Sequence, residues 1–492
     1  MNGQFDITYH GTGDVVVDLV GYFVATPLPT VVPPTVNTAQ LTSTAGIQAR
    51  QILQTANRYA LTTWWPSTAP SLLAKPMDSN QQSDPTDSVR RLAMEAFSLS
   101  VSLNTGAYSQ DVTGVSSASA TAIAVRLVDA VAAAHAANRV GGWGKSWQSA
   151  MWSSYAGRAG WLLWASLSPT QRIEVERMTM FEADFVLTLG PKYMVNASGT
   201  TLTPGDTGAE EDSWYALAPA LANAMMPSAP DRALWLQQQE QMQIAAWARP
   251  ADVSSSQSVD GRALSSWLNG SNVNANGVVI NHSRIAPDYS TNAYQSVDTV
   301  VMAALAGQVA PQSSLFGLEP VYAALSSVSY TATTTYKTPD GQPSGAIYYS
   351  TTNPTIYYPQ GCDWGVGQEI PYALLDADAV AFGFQGGAAT SAEVAESEHA
   401  AAAAAMQLRT QTTGTPASGA MYTNATPPEY TYVGREEHAS QLAAQLYLAE
   451  DVQEGHLTFT VAAQPQLSSP ATLSTIGSRP VLPAQNEGIY RR

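Results

Sequence analysis

Cysteine is almost absent. Cys362 stands alone among 492 residues, so no disulfide can close within the chain and zinc sites built on several thiolates are excluded. Lysine is nearly as scarce, with only Lys75, Lys145, Lys192 and Lys337. Charged residues make up 12% of the chain, about half the usual ~25%. Acids outnumber bases 39 to 22, for a net charge of −17. So acidic a chain has little with which to release counterions from a phosphate backbone, and nucleic acid is not an expected partner. An anionic membrane surface is no better suited. Long apolar runs are missing too: Val15–Val24 is broken by Asp18 and Gly21, and Ala132–Ala137 by His135, far short of the ~18 residues of a membrane span. No P-loop, HExxH or GxSxG motif occurs, and Gly365-Val366-Gly367 lacks the third glycine of a dinucleotide fingerprint. The six histidines are too scattered for a ligand pair. Neither metal nor cofactor is expected.

What is present divides the chain into four parts. Gly13-Asp14-Val15-Val16-Val17-Asp18-Leu19-Val20-Gly21-Tyr22-Phe23 is a β-branched run bounded by glycine, the signature of a strand. Residues 1–25 thus read as a fragment of a β-rich domain, too few strands to fold alone. Residues 26–39 hold four prolines within ten positions and predict a stiff extended linker that leaves residues 1–35 dispensable. From residue 40 the apolar period becomes helical, as in Ile52, Leu53, Ala56 and Ala60. About twelve such segments follow, near 44–64, 86–103, 116–138, 147–166, 169–189, 208–225, 230–247, 292–306, 315–327, 368–382, 388–411 and 435–449. Twelve helices make six hairpins, which predict a mainly all-α chain closed into an (α/α)6 toroid over residues 40–455. No repeat of open-solenoid length is visible. Three long polar loops, 190–207, 250–291 and 329–367, interrupt the helices, and long loops in a compact domain are usually functional. Residues 328–358 predict a β-hairpin insertion, and His456–Val461 a strand that opens a C-terminal tail over 456–492.

Chemistry is expected on those loops. Gly205-Asp206-Thr207-Gly208-Ala209-Glu210-Glu211-Asp212-Ser213-Trp214-Tyr215 sets three acids at the start of an apolar helix. Acids there complement the helix dipole; the functional alternative turns Glu211 toward a cleft, with Trp214 and Tyr215 packing on a sugar. The densest polar cluster runs from Asn276 to Asn292 and carries Asn281, His282, Arg284, Asp288 and Tyr289 at the mouth of a helix. Tyr357-Tyr358-Pro359-Gln360-Gly361-Cys362-Asp363-Trp364 places a carboxylate beside an indole, where Asp363 is either a helix cap or a catalytic acid with Trp364 as sugar platform. Trp143 and Trp147 flank Lys145 and are candidate sugar contacts. Gly434-Arg435-Glu436-Glu437-His438 reads as a surface ion-paired turn.

Two resemblances bear on these residues. The run Asp14–Phe23 resembles the closing strand of β-rich repeat domains in secreted actinobacterial proteins, which implies an exported protein, although the first residues carry no basic and apolar leader; an export signal is expected upstream of Met1. The acid-rich helix start, the "NH…PDY" run and the "PQG-x-DW" run resemble a group of bacterial (α/α)6 carbohydrate-active enzymes, with some likeness to polysaccharide lyases of the chondroitin and heparin type. The resemblance implies one cleft lined by all three clusters and a polysaccharide or oligosaccharide substrate. Three functions stay open. A glycoside hydrolase would use Glu211 and Asp363 as paired carboxylates. A lyase would neutralise a uronate with Arg284 and Asn281 and remove its proton with His282 or Tyr289. A non-catalytic glycan-binding surface protein would use the aromatic loops alone. The acid count and the net charge favour the hydrolase.

Overall fold

The computed structural model describes residues 28–79, 88–330, 345–350, 353–360, 369–385, 401 and 434–463. The expected strand within 1–25, the expected helix over 388–411 save one residue, Asp363, Trp364 and the tail beyond 463 lie outside the described residues. Within them the protein is mainly helical. The other eleven segments read as helical are helices, here α1 Thr44–Tyr59, α2 Ser88–Asn104, α3 Ser117–Ala133, α4 Ser149–Leu162, α5 Pro169–Val186, α6 Ala209–Met225, α7 Arg232–Trp247, α8 Tyr294–Leu305, α9 Leu318–Ser327, α10 Glu369–Phe382 and α11 Arg435–Gln453. Strands are short. Ser329–Tyr330 pairs with Gly345–Ala346, and Tyr348–Ser350 with Asn353–Ile356, which realises the expected β insertion. Thr460–Val461 pairs in parallel with Val309–Ala310. No helix among the described residues is long and apolar enough to cross a membrane.

The helices fall into two populations. Every residue of α4 and of α8 is buried, and α2, α6, α10 and α11 are buried along most of their length. Helices apolar on all sides belong in a core. By contrast α1, α3, α5, α7 and α9 bury one face. Along the chain the two kinds alternate from α1 to α10, and α11, the next described helix, is again of the first kind. The six central helices pack in cyclic order, α2 on α4, α4 on α6, α6 on α8, α8 on α10, α10 on α11, and α11 back on α2. The flanking helices lie outside the seams: α1 against α2 and α11, α3 against α2 and α4, α5 against α4 and α6. Small residues permit the close approach. A methyl group on Gly157 would stand 2.6 Å from Leu221 of α6, and one on Gly160 would stand 2.9 Å from Val175 of α5.

At the centre of this packing lies an ion pair. Arg158 of α4 and Asp298 of α8 meet through both guanidinium Nη atoms, at 2.9 and 3.0 Å, and both side chains are excluded from solvent. Gln445 of α11 also donates to Asp298. The guanidinium lies 4.2 Å from the ring centre of Phe97 on α2. Burial raises the Asp298 pKa, and Arg158 pulls it back.

The proline-rich stretch is not a free spacer. Residues 28–39 run across the C-terminal ends of the central helices. Val32 donates its N–H to Met225, the last residue of α6, at 2.8 Å, and Thr35 donates to Leu305, the last of α8, at 2.7 Å. Trp161 of α4 donates its indole N–H back to the Val32 carbonyl at 2.6 Å. Thr38 crosses so close to Gly106, beyond α2, that a methyl group there would stand 2.5 Å from its carbonyl oxygen. Thr42 and Ser43 donate their N–H groups to Glu454, just past α11. Helix C-termini leave carbonyls without partners, and an extended segment has free N–H groups to offer them. Two predictions follow from these contacts. Removing residues 28–39 should cost roughly 2–4 kcal/mol, three hydrogen bonds at about 1 kcal/mol each, read as a lower midpoint in denaturant. Asp298→Ala leaves Arg158 buried and unpaired and should destabilise by about 3–5 kcal/mol by the same measurement.

Candidate active site

With the C-terminal ends of the central helices covered, their N-terminal ends carry the polar clusters. The first cluster is held by Asn272, which is wholly buried. Its Oδ1 accepts from the N–H groups of Gly208 and Met194, at 2.9 and 2.8 Å, and its Nδ2 donates to the carbonyls of Lys192 and Ala245, at 2.8 and 3.0 Å. This one side chain fixes the 190–207 loop, the start of α6 and the end of α7 together.

The second cluster folds into a tight hairpin, Ile280–Asn281 against Arg284–Ile285. Its two turn residues, His282 and Ser283, have φ of +49° and +61°. Such a turn is built for glycine or asparagine, so the backbone is strained where His282 is presented. The tip is docked by the Ser283 N–H on the Gly205 carbonyl at 2.7 Å, and Thr207 donates its N–H to Ile280 at 3.2 Å. Gly205 has φ of +69°, and a methyl group there would meet Ser283 Cα at 2.7 Å, so only glycine fits. The third cluster joins through Gln360, whose Oε1 accepts from the Ile285 N–H at 2.6 Å. The described parts of the three motifs therefore sit side by side.

The consecutive acids at the start of α6 have three different environments. Asp212 is buried and accepts from the Lys192 N–H at 2.9 Å and from Asn272 at 3.4 Å. Burial drives its pKa well up; it organises the loop. Glu211 lies at the rim, 3.3 Å from Lys192 Nζ and 3.4 Å from the indole nitrogen of Trp147. Glu210 makes no hydrogen bond among the described residues. It is half-buried and keeps contact with solvent. Loss of solvation pushes its pKa well above the ordinary carboxylate range; Glu211, Asp288 and Asp206 push the same way, and Arg90 opposes.

Arg90 stands in the first turn of α2. Its charge acts on Glu210 of α6, on Tyr294, the first residue of α8, and on His438 in the first turn of α11. The Tyr294 hydroxyl lies 3.3 Å from that of Tyr155. Burial, with Arg90 nearby, depresses the His438 pKa to about 3, so its imidazole is neutral across the working range. Its neighbour Glu437 is buried and accepts from Arg91 at 2.7 Å and from Trp64 at 2.6 Å. The run at 434–438 is thus part of the polar end of the core and not the surface turn its sequence suggests.

The expected sugar contacts sort by exposure. Trp147 is 37% exposed and braced edge-on against Trp214 at 5.2 Å, a ready platform at the rim. Trp143 is fully buried, with its indole N–H on the Val131 carbonyl at 2.9 Å, and leaves no face for a sugar. The same holds for Trp214 and Tyr215, both buried where α6 packs. Asn281 is buried with its Oδ1 unmatched by any donor among the described residues. Tyr289 is buried beneath exposed His282, rings 5.5 Å apart and edge-to-face. Arg284 and Asp288 stay partly exposed on the hairpin and on the short helix after it. Arg90, Glu210 acting alone, Tyr294, His438 and Asn272 are the positions the sequence did not single out. One signal was available for Arg90: two adjacent arginines near a helix start oppose the dipole. Among the described residues no three His, Cys, Asp or Glu side chains gather as metal ligands. No family model matches the chain, and no curated protein or solved structure matches it.

The His438 environment has a measurable consequence. A folded-state pKa of about 3, against ~6.5 for a free imidazole, means that the unfolded chain binds the extra proton. Its contribution is whole above pH ~6.5 and is lost as pH falls toward 3, at no more than about 1.4 kcal/mol per pH unit. Thermal unfolding from pH 7 to pH 4 should fall less steeply in His438→Gln than in the parent.

Proposed function

We propose that the chain is a glycoside hydrolase, exported, and built as an (α/α)6 toroid with its cleft at the N-terminal ends of the six central helices. The cyclic packing of those helices and the seating of residues 28–39 over the opposite end support the toroid. The hydrolase reading is carried by one observation: Glu210 is a carboxyl without a hydrogen-bond partner among the described residues, touched by solvent and held toward its protonated form. An acid with a raised pKa in a cleft is the group a glycosidic oxygen needs as it leaves. Glu210 then replaces Glu211 as proton donor, because Glu211 is engaged by Lys192 and Trp147. Asp288, whose charge Glu210 feels from the hairpin side, is the second carboxylate. It activates the water or supports the oxocarbenium-like centre. Trp147 stacks on a sugar at the rim. Asp363, outside the described residues, stays a candidate for the same carboxylate role.

A second reading has its own support. His282, on a strained turn and edge-on to Tyr289, offers the base and acid of a β-elimination, which would make the protein a polysaccharide lyase.

Glu210→Gln copies the neutral carboxyl in shape and should fold as the parent does. It should lower kcat by ~10²–10⁴ on whichever polymer in a panel of neutral and uronate polysaccharides the parent cuts, with new reducing ends as product. The alkaline limb of the parent's kcat/KM profile, where Glu210 loses its proton, should disappear. An unsaturated uronate product, with His282→Ala and Tyr289→Phe as the crippling changes and Glu210→Gln nearly active, would replace the hydrolase with the lyase.

A further inference from the structure

Glu95 is a carboxyl that folding buries completely and satisfies by half. It belongs to a polar stripe on α2, Arg91, Glu95, Ser98 and Ser102, whose spacing sets all four on one face of the helix. The stripe is turned to α1 and α11. Arg91 donates to Glu437 at 2.7 Å. The Ser440 hydroxyl donates to Glu95 Oε2 at 2.9 Å and lies 2.8 Å from Ser98 Oγ, which accepts from Asn57 Nδ2 at 3.1 Å. Asn57, Glu95, Ser98, Ser102 and Ser440 are all buried. A hydroxyl has one proton to give, and that sets the direction of the chain. Its protons run from Asn57 through Ser98 and Ser440 to Glu95 Oε2, and none is left over. Glu95 Oε1 and Asn57 Oδ1 have no donor, and Ser102 Oγ, one turn further along the stripe, has no partner. Among the described residues, every buried side-chain atom of α1, α2 and α11 without a partner is an oxygen. A water could give its protons to two of these atoms, but would find at most the Ser102 hydroxyl to donate to its own oxygen. A cation needs acceptors alone.

Charge points the same way. Arg91, one turn from Glu95, is taken by Glu437, and Glu436 adds a further negative charge; Tyr59 of α1 lies in the same field. On α4, packed against α2 as well, Arg158 is taken by Asp298. Burial, with Glu437 and Glu436, holds the Glu95 pKa well above the ordinary carboxylate range, against Ser440 and Arg91. One free carboxyl among neutral oxygens balances a single positive charge. A divalent or transition ion would ask for more charged or imidazole ligands, and no three His, Cys, Asp or Glu side chains gather among the described residues.

We propose that the seam between α1, α2 and α11 binds a small monovalent cation on Glu95 Oε1 and Asn57 Oδ1, beside the hydroxyl oxygens of Ser98 and Ser440. The Glu95 carboxyl gives up its proton to solvent as the ion enters, one proton for each ion bound. The site is separate from the chemistry of the cleft and is tested without turnover. Thermal unfolding of the full chain is followed in sodium, potassium, ammonium and choline chloride at one ionic strength, near pH 5 and near pH 8. Choline is too bulky for a buried site and controls for screening by salt. The midpoint should be higher in at least one of the small cations than in choline, and should climb with the concentration of that cation as binding to the folded state requires. Below the Glu95 pKa the apparent affinity should rise about tenfold per pH unit, because a proton leaves as the ion binds. Calorimetric titration of the parent with that chloride salt, in two buffers of different ionisation heat, should count the proton directly. Glu95→Gln keeps the shape of the neutral acid; it should fold as the parent does in choline and show no preference among the four salts. Equal parent midpoints in all four salts would leave Glu95 a buried neutral acid and overturn the proposal. So would the same cation preference in Glu95→Gln, or binding to the parent without release of a proton.

Discussion

The ion pair between Arg158 and Asp298 is the constraint around which the remaining packing is arranged. It joins α4 to α8, Gln445 brings in α11, and Phe97 of α2 covers the guanidinium face. Two charges taken out of water gain little net stability over a well-packed apolar pair. What they impose is geometry, because a two-point fork tolerates little rotation or sliding of the helices that carry it. A core made largely of alanine, leucine and valine could pack in several registers. One buried pair shared by four helices singles out one of them, and so fixes where each helix begins.

That fixing of helix starts gives the two ends of the core their different chemistry. Carbonyls at the C-terminal ends are met by the extended segment 28–39, whose prolines keep it straight and whose remaining N–H groups reach Met225 and Leu305. At the N-terminal ends, side chains of several helices are brought within one another's fields. Arg90, Glu210, Tyr294 and His438 lie on four helices and are separated by as much as 348 positions (438 − 90), yet Glu210, Tyr294 and His438 all respond to the charge of Arg90. The loops add rigidity. Asn272 ties three segments through one amide, and the docked hairpin sets His282 above Tyr289. Low solvation, and not any single neighbour, sets the protonation of Glu210 and His438, since desolvation is the largest influence on both.

Much of the architecture was legible in sequence because helical amphipathicity is a local property. Ile52, Leu53, Ala56 and Ala60 mark α1 by spacing alone. The acids at 210–212 mark the start of α6. The three polar clusters were legible as clusters because glycine, asparagine and proline interrupt the apolar period. The proline-rich stretch shows where such reading ends. Its composition specifies an extended chain, and whether an extended chain swings free or lies in a groove depends on partners more than a hundred residues away.

The consecutive acids divide the two kinds of information most clearly. The sequence by itself determined that Glu210, Glu211 and Asp212 open a helix, since acids favour a helix N-terminus and an apolar run follows. Successive helical residues point about 100° apart, so three neighbours face three directions, and nothing local says what each will meet. Tertiary packing decided it: Asp212 turns to Asn272 and the Lys192 backbone, Glu211 to Lys192 and Trp147, and Glu210 is left half-buried with no hydrogen bond among the described residues. The same holds for Trp143 and Trp147, four residues apart, one sealed in the core and one open to solvent. Residue type and spacing set what a side chain can do; the surrounding helices set what it meets.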